Sequence, residues 1–256
     1  MTRVWITGAS SGIGEGLARA WAAQGAKVIL SGRRADALDR LASELPGAEV
    51  VPFEATELAA LPAAVAKAGH VDILVNNAGI SQRSLAVSTD FDVYRRIMEV
   101  DFFAPVRLTQ LVLPQMIARG SGHFVMISSI AGKIGSPLRS GYCAAKHALI
   151  GYSDALRSEV AQHGISVTTV TPGFVATAIA INALTGEGRV RGPGADPVDN
   201  GITPDEAAAQ ILGGIAEGRR EIPVGREGAP EMMLLGLKRH NPDAVFDLMA
   251  NAAKNL

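Results

Sequence analysis

Seven short runs rich in β-branched and aromatic residues punctuate the chain, at residues 4–7, 27–31, 50–54, 73–76, 123–128, 166–171 and 221–224. These runs lack the strict polar alternation of a strand with one wet face, so they read as strands covered on both sides. Helix-compatible stretches separate them. One contains Leu17-Ala18-Arg19-Ala20-Trp21 and is closed by Gly25, and another is opened by Pro204-Asp205-Glu206. This rhythm predicts an α/β, doubly wound Rossmann fold: a mainly parallel, seven-stranded sheet with helices on both faces. At 256 residues and 48% hydrophobic composition the chain fills one such unit, so residues 1–256 read as a single domain.

The 24 basic residues nearly cancel the 25 acidic ones, which leaves no broad field for nucleic acid or an anionic membrane. A small-molecule partner is the expectation. Cys143, the only cysteine, excludes an internal disulfide and a cysteine-rich metal site, and its neighbours suggest a packed thiol. No metal site is predicted. Met1 leads straight into Val4-Trp5-Ile6 without the regions of a signal peptide, and no apolar run approaches membrane-spanning length, so a cytoplasmic location is expected.

Directly after the first strand comes Thr7-Gly8-Ala9-Ser10-Ser11-Gly12-Ile13-Gly14. Glycines here permit a tight turn and the close approach of a pyrophosphate to a helix N-terminus. The spacing is Gly-x-x-x-Gly-x-Gly and not the usual Gly-x-Gly-x-x-Gly, so the loop alone is also compatible with an ordinary turn. After the second strand, where an acidic residue would bond a ribose 2′-hydroxyl, the chain has Ser31-Gly32-Arg33-Arg34. Arginine there favours a 2′-phosphate and predicts NADP(H) preference, with an arginine pair that only solvates a helix start as the alternative. The turn Asn76-Asn77-Ala78-Gly79 ends the fourth strand, at the edge where open α/β sheets bind ligands.

Tyr142 and Lys146 lie four apart in a helix-compatible segment, 141–158, and so project from one face. An ammonium beside a phenol stabilises the phenolate, which predicts a lowered Tyr142 pKa and a general acid or base. By itself a Tyr-x-x-x-Lys pattern fits any amphipathic helix. Taken in order, the glycine loop, Asn76-Asn77-Ala78-Gly79, Ser129, Tyr142-x-x-x-Lys146 and Pro172-Gly173 resemble the short-chain dehydrogenase/reductase family over most of the chain.

The resemblance implies an oxidoreductase moving a hydride between NADP(H) and a carbonyl or secondary alcohol. Tyr142 would be the acid or base, Lys146 would lower its pKa and hold ribose, and Ser129, 13 residues earlier, would orient the substrate oxygen. Ser128 is the alternative serine. The family's relay asparagine corresponds here to Asp101, which either relays protons or pairs structurally with Lys146. The implied cofactor contacts are Gly8, Ser10, Ser11, Gly12, Ile13, Gly14, Arg33, Arg34, the Glu54-Ala55 pair, Asn77, Ala78, Gly79, Tyr142, Lys146, Pro172, Gly173, Val175 and Thr177.

Ile80-Ser81-Gln82-Arg83-Ser84 is similar to a subgroup of hydroxysteroid and retinal reductases, implying bulky apolar carbonyl substrates. The Gly- and Pro-rich stretch 185–201 is the least regular, and a substrate-binding loop is placed at about 177–203. Helices around 102–117 and 142–160 are a pairing surface in relatives, implying a homodimer or homotetramer. Met232-Met233-Leu234-Leu235 reads as core, with a partner or membrane contact as the alternative. A second function class stays open: an NADP(H)-binding sensor with weak catalysis. An epimerase or dehydratase would need a larger substrate domain than this length holds.

Overall fold

A computed structural model describes residues 1–254. The described residues contain one seven-stranded parallel sheet in the order β3-β2-β1-β4-β5-β6-β7, formed by β1 (Arg3–Thr7), β2 (Lys27–Ser31), β3 (Glu49–Val50), β4 (Ile73–Asn76), β5 (Gly122–Ile127), β6 (Ile165–Pro172) and β7 (Glu221–Val224). Strand order reverses between β1 and β4, which opens a crevice at the carboxyl edge between their turns.

The helices divide between the two faces. On one side α1 (Gly12–Ala23), α2 (Ala35–Glu44) and α7 (Pro204–Ala216) bury Leu17, Trp21, Leu38 and Ile211 against Val4, Ile6, Leu30 and Val170. On the other, α3 (Leu61–Ala68), α5 (Ala104–Arg119) and α6 (Ser140–Val160) bury Leu61, Leu108, Met116 and Leu156 against Trp5, Leu74, Phe124 and Val167. Alternate residues of β1 thus enter opposite cores, which explains why Val4, Trp5 and Ile6 follow one another without a polar residue between them. A short π-helical turn, Glu99–Phe103, joins α4 (Phe91–Met98) to α5, and α8 (Pro230–His240) and α9 (Pro242–Ala253) follow β7.

The third strand differs from the expectation over 50–54. It pairs only at Glu49 and Val50. Val51 and Phe53 still donate singly to the Leu30 and Gly32 carbonyls, but the Val51 carbonyl takes the Ser31 hydroxyl in place of a returning amide of the ladder. Pro52, with no N–H, sits harmlessly toward the open edge. The irregular stretch is strapped down. Arg83 N donates to the Leu184 carbonyl and Leu184 N to the Ser81 carbonyl, both at 2.8 Å, and Pro197–Asn200 form a helical turn capped by Asp196. No helix of the described residues is long and apolar enough to cross a membrane.

Candidate active site

The β1 turn and the start of α1 are shaped by close approach. Gly8 has φ +66°, and a Cβ on Gly14 would sit 2.4 Å from the Gly8 carbonyl oxygen and 2.5 Å from Asn77 Nδ2. Asn77 fastens this loop to the β4 turn: its Nδ2 donates to the carbonyls of Thr7 (2.9 Å) and Gly8 (3.3 Å), while the Thr7 hydroxyl accepts from Asn77 N and Ala78 N. The side chain of Ser11, at the N-cap of α1, makes no capping bond, so the first amides of α1 remain available to an anion. Gly8, Ser10, Ser11, Gly12 and Ile13 line the adjoining cleft, whereas Gly14 is buried behind it.

Arg33 and Arg34 line the same end, with Glu54 and Ala55. Arg34 Nη2 donates to the hydroxyls of Ser10 (3.0 Å) and Ser11 (2.9 Å), and Arg33 Nε stands 3.7 Å from a Glu54 carboxylate oxygen. The donor set is suited to a phosphorylated ribose: two guanidiniums and two hydroxyls beside uncapped amides, and at Gly32 no carboxylate to repel it.

The cleft continues past Ala78 and Gly79 to Ser129, Tyr142 and Lys146, with Pro172, Gly173, Val175 and Thr177 on the opposite wall. All but a small part of Ser129, Tyr142 and Lys146 is buried. Tyr142 and Lys146 head the buried stripe of α6 that continues through Leu149, Ile150, Ser153 and Leu156. The Lys146 ammonium lies 5.7 Å from the Tyr142 ring centre. Of the two serines, Ser128 donates its hydroxyl to the Lys146 carbonyl at 3.0 Å, while that of Ser129 accepts from Ala131 N and reaches Pro172 O at 3.4 Å. Ser128 is therefore committed to packing β5 against α6.

Asp101 occupies the π-helical turn and is fully buried. One carboxylate oxygen accepts from Ile80 N at 2.8 Å and the other faces Lys146 Nζ at 3.3 Å, without a hydrogen bond of good geometry. Lys146 Nζ donates to the Ile127 carbonyl at 3.1 Å. Burial opposes the Lys146 charge, but Asp101 and Tyr142 together raise it above the usual lysine range, so it stays an ammonium.

The expected lowering of Tyr142 is not found. Burial pushes its phenol up, Asp101 adds to this, and the opposing pull of Lys146 and the Ser129 hydrogen bond does not overcome them. Burial accounts for most of the difference, and a carboxylate beside the ammonium cancels part of the field that would have stabilised a phenolate.

Motif spacing gave no signal for Gln82. Its side chain is completely buried, and its Oε1 accepts from Gly141 N at 2.7 Å and Tyr142 N at 3.3 Å, capping α6 from another part of the chain. Gln82→Leu leaves two buried amides without an acceptor, and a loss of about 1–3 kcal/mol is expected. Urea unfolding checks this; an unchanged midpoint would remove the capping role. Met232-Met233-Leu234-Leu235 is not core as expected: α8 buries none of its residues fully and leaves Met233 exposed, while it lays Met232 over Gly173 and brings Glu231 and Leu234 to the cleft.

The sequence profile of the short chain dehydrogenase family matches residues 2–188. The chain belongs to the short-chain dehydrogenase family. The dehydrogenase/reductase SDR family member 7B of Bos taurus is 40% identical over 265 residues, covering 98% of this chain and 81% of the relative. A short-chain dehydrogenase from Streptomyces avermitilis is 30% identical with TM-score 0.80, covering 100% of this chain and 99% of that one. Another, from Sphingobium yanoikuyae in complex with NADPH, is 27% identical with TM-score 0.78, covering 95% and 96%. Membership makes this short-chain dehydrogenase an oxidoreductase with a Rossmann-type nucleotide site and a small-molecule substrate.

Proposed function

We propose that this short-chain dehydrogenase is an NADP(H)-dependent carbonyl reductase, which in reverse oxidises a secondary alcohol. The observation that carries the reading is the convergence of Ser129, Tyr142 and Lys146 on one cleft that runs continuously to Gly8–Ile13, Arg33 and Arg34. The bound nicotinamide supplies or receives the hydride.

Every other part falls to this chain's residues. The Tyr142 hydroxyl, held protonated by burial, donates its proton to the carbonyl oxygen as that oxygen gains charge. Ser129 fixes the same oxygen with its hydroxyl. Lys146 keeps an ammonium against the Tyr142 ring and offers a donor to a ribose. The amides at the start of α1, with Ser10 and Ser11, hold the pyrophosphate, and Arg33 and Arg34 hold a 2′-phosphate. Arg34 would exchange its present serine partners for that phosphate.

Steady-state turnover of a panel of ketones and aldehydes with NADPH and with NADH tests the reading. NADPH is expected to be the better donor, and Arg33→Ala combined with Arg34→Ala to lower kcat/KM for NADPH by about 10–100-fold more than for NADH, on the scale of charge-assisted hydrogen bonds. Equal or better use of NADH by the unaltered protein would overturn the cofactor assignment. The Asp101–Lys146 pair also favours a second reading, a nucleotide-binding sensor with muted chemistry, and tight NADPH binding without turnover of any carbonyl would select it.

A further inference from the structure

Three guanidinium groups converge on one carboxylate near the substrate end of the cleft. Asp196, its side chain 4% exposed, receives Arg83 Nε at 2.8 Å, and lies 3.6 Å from Arg139 Nη2 and 3.9 Å from Arg191 Nη1. Arg83 is otherwise committed: its Nη1 donates to the Ser81 hydroxyl and the Gln82 carbonyl, so this arginine ties the 185–201 stretch to the β4 turn. That structural role does not account for the other two. Arg139 donates no hydrogen bond among the described residues, although its side chain is 19% exposed and lines the cleft. Arg191 Nη2 donates to the Ala195 carbonyl, while its Nη1 is buried without a hydrogen-bond partner.

Three guanidiniums against Asp196 and the exposed Asp199, whose Oδ2 accepts from Asp196 N at 3.1 Å, leave this wall with a net positive charge. The cleft's own carboxylates lie elsewhere: Glu54 beside Arg33, and Glu231 against Gly173. Burial and the charge of Arg83 both act against a charged Arg139. Leu138, just before Arg139, has φ +64°, a left-handed conformation uncommon for a residue with a side chain. Arg139 stands at the N-cap of α6, three positions before Tyr142.

We propose that Arg139, backed by Arg191, is the docking point for an oxyanion on the substrate, so that the carbonyl compound taken here carries a carboxylate or a phosphate ester. The proposal rests on the reductase reading and names its substrate class. A planar guanidinium with unused donors takes either oxyanion in a bidentate grip, and a buried wall with surplus charge strengthens that grip. Ile134, Ile179, Leu184 and Val190 line the same cleft and accommodate the apolar remainder of the molecule.

The test compares size-matched carbonyl substrates with NADPH: a keto acid, its neutral amide or methyl ester, and a ketone bearing a phosphate ester. The better charged member is expected to exceed the neutral one by at least about tenfold in kcat/KM, through KM. Which anion wins separates carboxylate from phosphate. Arg139→Gln is expected to collapse that ratio toward one, and Arg139→Lys, which keeps the charge, to restore part of it. Equal kcat/KM for charged and neutral members in the unaltered protein, or an unchanged ratio in Arg139→Gln, overturns the docking site while leaving the reductase reading intact. Failure to reduce any carbonyl with either nucleotide overturns both.

Discussion

Tyr142→Phe is expected to lower kcat for ketone reduction by about 10²–10⁴-fold, the range over which a positioned general acid contributes. The substitution removes one oxygen from a nearly buried ring and keeps its packing against Ala131, Cys143 and Ile179. No neighbour is placed to replace the lost donor. The Ser129 hydroxyl has a single proton, already engaged in fixing the substrate oxygen, and the Lys146 ammonium is held by the Ile127 carbonyl and Asp101. The other nucleotide-facing residues are untouched, so NADPH affinity, measured by quenching or calorimetry, is expected largely to persist while turnover falls. A variant retaining kcat within a few-fold would show that the proton comes from elsewhere and that Tyr142 only shapes the cleft.

The nucleotide half of this cleft was legible because its determinants are local. A strand, a turn with φ +66° at Gly8 and an uncapped helix start follow one another within residues 3–14, and the spacing of Gly8, Gly12 and Gly14 registers all three. Strands β1, β2, β4 and β7 were readable for the same reason, since their apolar runs end at turn residues. The edge strand β3 was overextended because Val51 and Phe53 carry β-propensity, yet the Val51 carbonyl is taken by the Ser31 side chain and not by a ladder amide.

What periodicity cannot register is contact across the chain. Gln82 caps a helix that begins 58 residues later, and Arg83 meets Asp196 across 113 positions, yet these two adjacent residues fix the head of α6 and the substrate wall. Tyr142 shows the same limit in electrostatics. Its spacing to Lys146 was readable and implied a lowered pKa, but burial and a carboxylate brought in by the π-helical turn reverse the sign.

That carboxylate carries the second large expectation. In Asp101→Asn the amide oxygen can still accept from Ile80 N, so the turn is retained, while the negative charge beside Lys146 is lost. The ammonium then acts on Tyr142 without compensation. Two contributions that favour the protonated phenol are reduced to one, namely burial, and its pKa falls. For alcohol oxidation the phenolate is the working form, so the rising limb of the pH–rate profile is expected to move to lower pH, with activity near neutrality increased severalfold. For ketone reduction the phenol is the working form, so the falling limb is expected to move to lower pH as well. Because both limbs report one group, they must shift in the same direction. A purely structural effect on the turn would lower both rates without moving either limb, and a proton relay that needs the carboxylate would depress rates in both directions at every pH. Coincident downward shifts would identify Asp101 as the residue that holds Tyr142 in its proton-donating form and biases this dehydrogenase toward reduction.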